Sequence, residues 1–186
     1  MLTSPFLRSV LILLAASSLS LGIASCGSSD DAAPATSKAS TAAPSDWRGV
    51  EITDVDGKTF TVADLEGTPV FVENFATWCS NCKKQLGKTQ QAAADLGKKA
   101  VFLALSVETD LDPADVGAYA KDNGFDDIRF AIMSPEMLLA MKKAFGTSAL
   151  NPPSTPKIAI TADGTVGELV TGFEEPDEIA AALGRA

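Results

Sequence analysis

The stretch ENFATWCSNCKK, Glu73 to Lys84, decides how the chain folds. It grows out of an apolar run, PVFVENF (Pro69–Phe75), whose Val and Phe content reads as a buried central strand. A helix is expected to begin at about the two cysteines and to run towards Leu96, with Gly97 near its end. The C-x-x-C spacing then puts both sulfurs on one helical turn, close enough to bridge. Cys79 falls at the helix N-terminus, where unpaired amides and the helix dipole favour a thiolate, and Lys83 and Lys84 add positive charge nearby. A thiolate so placed attacks a disulfide through a mixed disulfide, which Cys82, one turn in and more buried, resolves. Two other uses of the pair compete. A zinc half-site needs further ligands, and the chain has no histidine and no second cysteine pair. A static bridge closing so short a loop adds little stability. Redox chemistry is the reading that the strand-then-helix context favours.

Upstream, GVEITDVDGKTFTV (Gly49–Val62) alternates apolar and polar residues around Asp56–Gly57, as a β-hairpin does. Downstream, AVFLALSV (Ala100–Val107) reads as a second buried strand. Asp112–Pro113 and Ser134–Pro135 each supply an N-cap and a first-position proline, and Gly124 and Gly146 close the two helices. KIAIT (Lys157–Thr161), a turn at Asp163–Gly164 and TVGELVTG (Thr165–Gly172) predict a last hairpin, and Pro176 opens a terminal helix ending near Gly184. The order is a hairpin, then βαβα, a helix, two strands and a helix. That predicts an α/β domain with a mixed central sheet, helices on both faces and an N-terminal β-hairpin extension. Met137 and Met141, four apart with Phe145 following, read as core packing rather than as a soft-metal site.

With 186 residues the chain has room for one ordinary domain and a tail. Residues 1–25 read as a signal peptide: Arg8 marks a positive n-region and VLILLAASSLSLGI (Val10–Ile23) a short apolar h-region. The segment ends in IASC (Ile23–Cys26), which resembles the lipobox of bacterial lipoproteins, whose cysteine receives lipid. An ordinary secretory cleavage site with a chance cysteine is the alternative. Gly27–Ser45 is rich in Ser, Ala, Thr, Pro and Asp and has nothing to anchor a core. Residues 26–46 are therefore expected to be a lipidated cysteine and flexible linker, and 47–186 the domain. Lipid on Cys26 leaves Cys79 and Cys82 as the one pair in an oxidising compartment, outside the cytoplasm at a bacterial membrane. The formal net charge of −9 argues against a nucleic-acid partner.

VFVENFATWCSNCKK (Val70 upwards), with Trp78 before the first cysteine, resembles the active-site segment of thioredoxin-fold proteins. With the lipobox, the linker and TADGTVGELVTG (Thr161–Gly172), the chain resembles the membrane-anchored TlpA-like and ResA-like thiol–disulfide oxidoreductases from about Trp47 to Leu183. The resemblance implies a thioredoxin-like fold that exchanges disulfides with protein substrates, most often as a reductant. It implies an electron donor in or outside the membrane, no cofactor and no metal. It places Trp78 at the substrate site. It implies a cis Thr155–Pro156 bond facing the cysteines, with the Thr155 backbone pairing with bound peptide and Pro152 and Pro153 lying too early. It makes Glu73, six residues before Cys79, a buried acid. Burial should raise its pKa and let it move a proton to or from Cys82 through water. A Glu73 turned to a polar edge is the alternative.

The chain departs from the pattern at three points. Asn74 stands where an aromatic is usual, Ser80–Asn81 lacks the proline that often precedes the second cysteine, and Gln85 replaces a glutamate of the ResA-like proteins that serve cytochrome c maturation. The last departure argues against haem-protein thiols as the substrate. Two other functions use this fold. Sco-type copper delivery uses C-x-x-x-C and a distant histidine, and peroxiredoxin-type peroxidases use Pro-x-x-x-Thr-x-x-Cys. This chain has C-x-x-C, no histidine, and Phe75–Ala76–Thr77–Trp78 before Cys79.

Overall fold

In the computed structural model, which describes residues 46–184, the apolar runs become the inner strands of one sheet. The expected signal peptide, Cys26 and most of the linker lie outside the described residues. A short hairpin, β1 (Ile52–Thr53) and β2 (Thr59–Phe60), comes first, pairing Ile52 with Phe60 and Thr53 with Thr59. Then follow β3 (Val70–Phe75), α1 (Ser80–Leu96), β4 (Val101–Ser106), α2 (Pro113–Asp122), β5 (Arg129–Ile132), α3 (Pro135–Phe145), β6 (Lys157–Ile160) and α4 (Pro176–Gly184). The main sheet has the order β5-β4-β3-β6; β3, β4 and β5 are parallel and β6 is antiparallel to β3. This is the expected mixed sheet, in the thioredoxin-like arrangement.

All six residues of β3 are buried, because the sheet is covered on both sides. Phe71 and Phe75 pack with Leu86 of α1, Val116 of α2 and Ile179 of α4. Val70 and Val72 face the other way, onto Met137 and Met141 of α3 and onto Trp47. The two methionines are thus core residues, 1% and 0% exposed. Helix starts follow the sequence signals: Asp112 Oδ1 accepts from Ala114 N and Ser134 Oγ from Met137 N, each just before a proline.

Two elements differ from expectation. The strand β5 joins the sheet edge, where the sequence shows no strand pattern. It has four residues and buries Phe130 and Ala131 on opposite faces, so it shows no alternation. The second arm of the last hairpin is not a continuous strand. It bridges Ile160 at Val166 and Lys157 at Val170, so one extra residue bulges between the bridges and breaks the ladder.

Candidate active site

The strand β3 delivers the chain to the loop Ala76–Thr77–Trp78, and α1 begins at once behind it. Cys79 is the N-cap of α1. Its Sγ accepts from Cys82 N at 3.1 Å, the service that Ser or Asp oxygens give other helices. Cys79 and Cys82 are bridged, with Cα atoms 5.3 Å apart. Cys79 keeps 3% of its surface and Cys82 none, so Cys79 is less exposed than the sequence suggested, but it remains the one an incoming sulfur can reach. A small cleft bounded by Trp78, Cys79, Ser80, Asn81 and Pro153 leads to it, and Trp78 stands 65% exposed at its rim.

The prolines beside the cysteines are not the expected one. Cys82 Sγ lies 3.1 Å from the carbonyl of Pro152, and Asn81 Nδ2 donates to the carbonyl of Pro153 at 3.1 Å. The Thr155–Pro156 bond is trans, which corrects the expected cis bond. The chain turns instead at Thr155, which adopts a left-handed conformation with φ 48° and donates its amide to Pro152 O at 2.7 Å. Thr155 and Pro156 are both buried; Thr155 Oγ1 donates to Gly172 O, and Pro156 O accepts from Asn74 N.

Glu73 is buried on the α1 side of the sheet. Its Oε2 accepts from Thr89 Oγ1 at 2.7 Å and its Oε1 has no partner. Burial pushes its pKa up to about 8, against the hydrogen bond from Thr89 and the charge of Lys157, which pull it down. The expected buried, raised acid is therefore present. It does not touch the cysteines directly: Thr89 lies seven residues beyond Cys82, roughly 10 Å along the helix. Asn74, where an aromatic was expected, turns to the other face and donates Nδ2 to Ala149 O at 2.9 Å.

Two residues of the site were not singled out for these roles by sequence. Glu108, after β4, accepts from Thr77 N at 2.6 Å and from Thr77 Oγ1 at 2.9 Å, which fixes the loop carrying Trp78. Gln85 is fully buried one turn past Cys82. Its amide accepts from Glu174 N at 2.9 Å and donates to Glu174 O at 3.2 Å, pairing with that peptide as a strand would. No local signal marks either contact, since the partners are 31 and 89 residues apart in sequence. Gln85→Ala leaves both groups of the Glu174 peptide unpaired and is expected to cost about 2 kcal/mol in a denaturant melt. An unchanged midpoint would show that the clamp carries no weight.

Among the described residues no group of three His, Cys, Asp or Glu side chains is placed to hold a metal. What the site offers is a bridged dithiol at a helix N-terminus, an aromatic rim and a buried acid behind. The profile of the AhpC/TSA family matches residues 41–148. The thiol–disulfide oxidoreductase ResA of Bacillus thuringiensis is 25% identical over 128 residues, which cover 69% of either chain. Of solved structures, the exposed lipoprotein thioredoxin Etrx1 of Streptococcus pneumoniae superposes with a TM-score of 0.59 at 24% identity, over 74% of this chain and 98% of that one. The copper-bound ScoI of Bradyrhizobium japonicum superposes with a TM-score of 0.56 at 19% identity, over 73% and 95%.

Proposed function

We propose that this chain, a thiol–disulfide oxidoreductase that belongs to the AhpC/TSA family, works outside the cytoplasm, tethered to a bacterial membrane by lipid on Cys26, and reduces disulfides of protein substrates. The observation that carries the chemistry is Cys79 at the N-cap of α1, bridged to a Cys82 that has no surface of its own. In the reducing direction the Cys79 thiolate attacks one sulfur of the substrate disulfide. That bond breaks, and the departing substrate sulfur takes a proton from solvent. Cys82 then gives its proton to Glu73 through water and attacks the Cys79 sulfur. The mixed disulfide breaks, the second substrate sulfur leaves and takes a proton from solvent, the Cys79–Cys82 bridge forms, and two electrons have passed to the substrate. An electron donor in the membrane or beyond it returns them.

Trp78 meets the substrate with its exposed ring. Thr155 and Pro156 act from behind, by holding the turn that brings Pro153 to the cleft. The lipoprotein name of Etrx1 and the lipobox-like IASC (Ile23–Cys26) support the anchoring, with residues 1–25 as leader, 26–46 as lipidated cysteine and linker, and 47–186 as the thioredoxin-like domain.

Reduced protein is expected to cleave a protein disulfide stoichiometrically, forming one Cys79–Cys82 bridge for each disulfide cleaved. The likeness to ScoI makes copper delivery the competing reading, and the family makes peroxidase activity another. Peroxide consumption outpacing disulfide cleavage, or one tightly retained copper per reduced chain, would overturn the proposal. Cys26→Ala is expected to release the protein from membranes or block its maturation. Unchanged membrane retention together with a free Cys26 thiol would remove the anchor.

A further inference from the structure

Lys157 is a fully buried lysine that the exchange chemistry does not use. It stands directly opposite Glu73 on the neighbouring antiparallel strand, so the two side chains leave the sheet on the same face. Its ammonium donates to Thr155 O at 2.9 Å and to Gly172 O, and lies 3.8 Å from Glu174 Oε2. One buried cation thus faces two acids of different exposure, Glu73 across the strand pair and Glu174 at 3.8 Å. Glu73 has no surface; the Glu174 side chain keeps 16% of its own. A cavity of about 300 Å³, lined by Phe71, Lys157, Thr161, Thr165, Glu168 and Glu174 among others, reaches this group between β6 and α4.

A buried ammonium is costly without a counter-charge, and a buried carboxylate is costly without a cation. With one cation for two acids, the more hydrated acid takes the negative charge and the dry one keeps its proton. We propose that Lys157 and Glu174 are positioning residues for the resolving step: Lys157 is the counter-cation that lets Glu73 ionise inside the core, and Glu174 competes with Glu73 for it. The competition is built into the backbone. The Gln85 amide holds the Glu174 peptide, and the Gly172 carbonyl takes both Thr155 Oγ1 and Lys157 Nζ, so the segment 172–174 is tied to α1 one turn beyond Cys82. The inference rests on Glu73 as the proton acceptor for Cys82.

The other groups facing Glu73 carry no charge. The helix α1 presents neutral Thr89, β4 presents Ala104, and α4 contributes Ile179 to the same core. Tyr119 of α2 is pushed up to about 12 by burial and by the charges of Glu73 and Glu108, so it stays neutral. The directions agree with the geometry: Lys157 lowers the pKa of Glu73 and Glu174 raises it, while burial pulls Lys157 down.

The test uses a mixed disulfide preformed on Cys79, with the resolution rate followed against pH, and a carbon-13 titration of the Glu73 carboxyl assigned by its loss in Glu73→Gln. Lys157→Met removes the cation and is expected to move both curves to higher pH by about one unit or more. Glu174→Gln removes the competitor and moves both to lower pH. A residue of purely structural importance would not give opposite signs. Glu174→Gln lies on a partly exposed loop and carries the test alone if Lys157→Met does not fold. A Glu73 titration unmoved by Glu174→Gln, or moved upward, overturns the coupling. A titration that moves while the rate profile stays put keeps the coupling and removes Glu73 from the resolving step, which is a failure of the functional reading instead.

Discussion

Cys79→Ser is expected to abolish disulfide exchange outright, whereas Cys82→Ser keeps the first attack and stops at the mixed disulfide. The two sulfurs differ in access and in electrostatics. Cys79 lines the cleft beside Trp78 and Pro153, and Cys82 has no surface. Cys79 also caps α1, where Cys82 N points at its sulfur, so a thiolate there is held by the first-turn amides and by the positive end of the helix. Cys82 lies one turn in, its sulfur 3.1 Å from the carbonyl oxygen of Pro152, whose partial negative charge disfavours a thiolate there. Without Cys82, release of the substrate depends on external thiol. The loss of a positioned intramolecular nucleophile is expected to lengthen the life of the mixed disulfide by about 10³-fold or more at millimolar thiol. Mass spectrometry of Cys82→Ser from its native host would carry the trapped substrate, and alkylation of reduced protein against pH should label Cys79 first. Labelling of Cys82 first would reverse the two roles.

The parts of this site that sequence makes legible are those encoded by neighbours. A Val- and Phe-rich run before W-C-x-x-C is enough to place β3, α1 and the two sulfurs, because a strand ending and a helix starting are local events. The same holds for Asp112–Pro113 and Ser134–Pro135, where cap and first-turn residue sit side by side. Glu73 was legible as a buried acid because its neighbours are apolar. The lysine opposite it, Lys157, was not, since a lysine at the start of KIAIT looks like a strand end; Glu174 and Gly172 contact its ammonium there. Pro156 shows the reverse error. The resemblance to thioredoxin-fold proteins implied a cis bond there, but the left-handed turn at Thr155 sends Pro152 and Pro153 to the cysteines instead. Thr155 is β-branched, for which that backbone conformation is unfavourable, so no local preference announces it.

Glu73→Gln is expected to slow resolution by about 10²-fold or more near pH 8 and to remove most of the fall in stability with rising pH. The kinetic part follows from placement. Cys82 is dry, and the titratable acid under α1, which reaches it only through water, carries an oxygen, Oε1, without a partner. Glutamine keeps the shape and can keep Thr89 as a partner, but it cannot accept a proton. The difference from the parent should widen from pH 6 to pH 8, because Glu73 becomes an acceptor only as it ionises, with a pKa of about 8. The stability part follows from the same burial. The folded pKa is above the ordinary value of 4.5, so between 4.5 and about 8 the folded chain holds a proton that the unfolded chain has released. The contribution of this proton is complete below about 4.5 and is lost as pH rises through 8, at a limiting slope of about 1.4 kcal/mol per pH unit. Glu174, also raised by burial, adds a smaller fall of the same sign. Lys157, pulled down by burial, acts oppositely. Denaturant melts of parent and Glu73→Gln should therefore agree at pH 4 and separate towards pH 8, with the variant the more stable. Parallel stability curves would mean that Glu73 does not hold its proton in the folded chain, and equal resolution rates from pH 6 to 9 would mean that Cys82 passes its proton elsewhere.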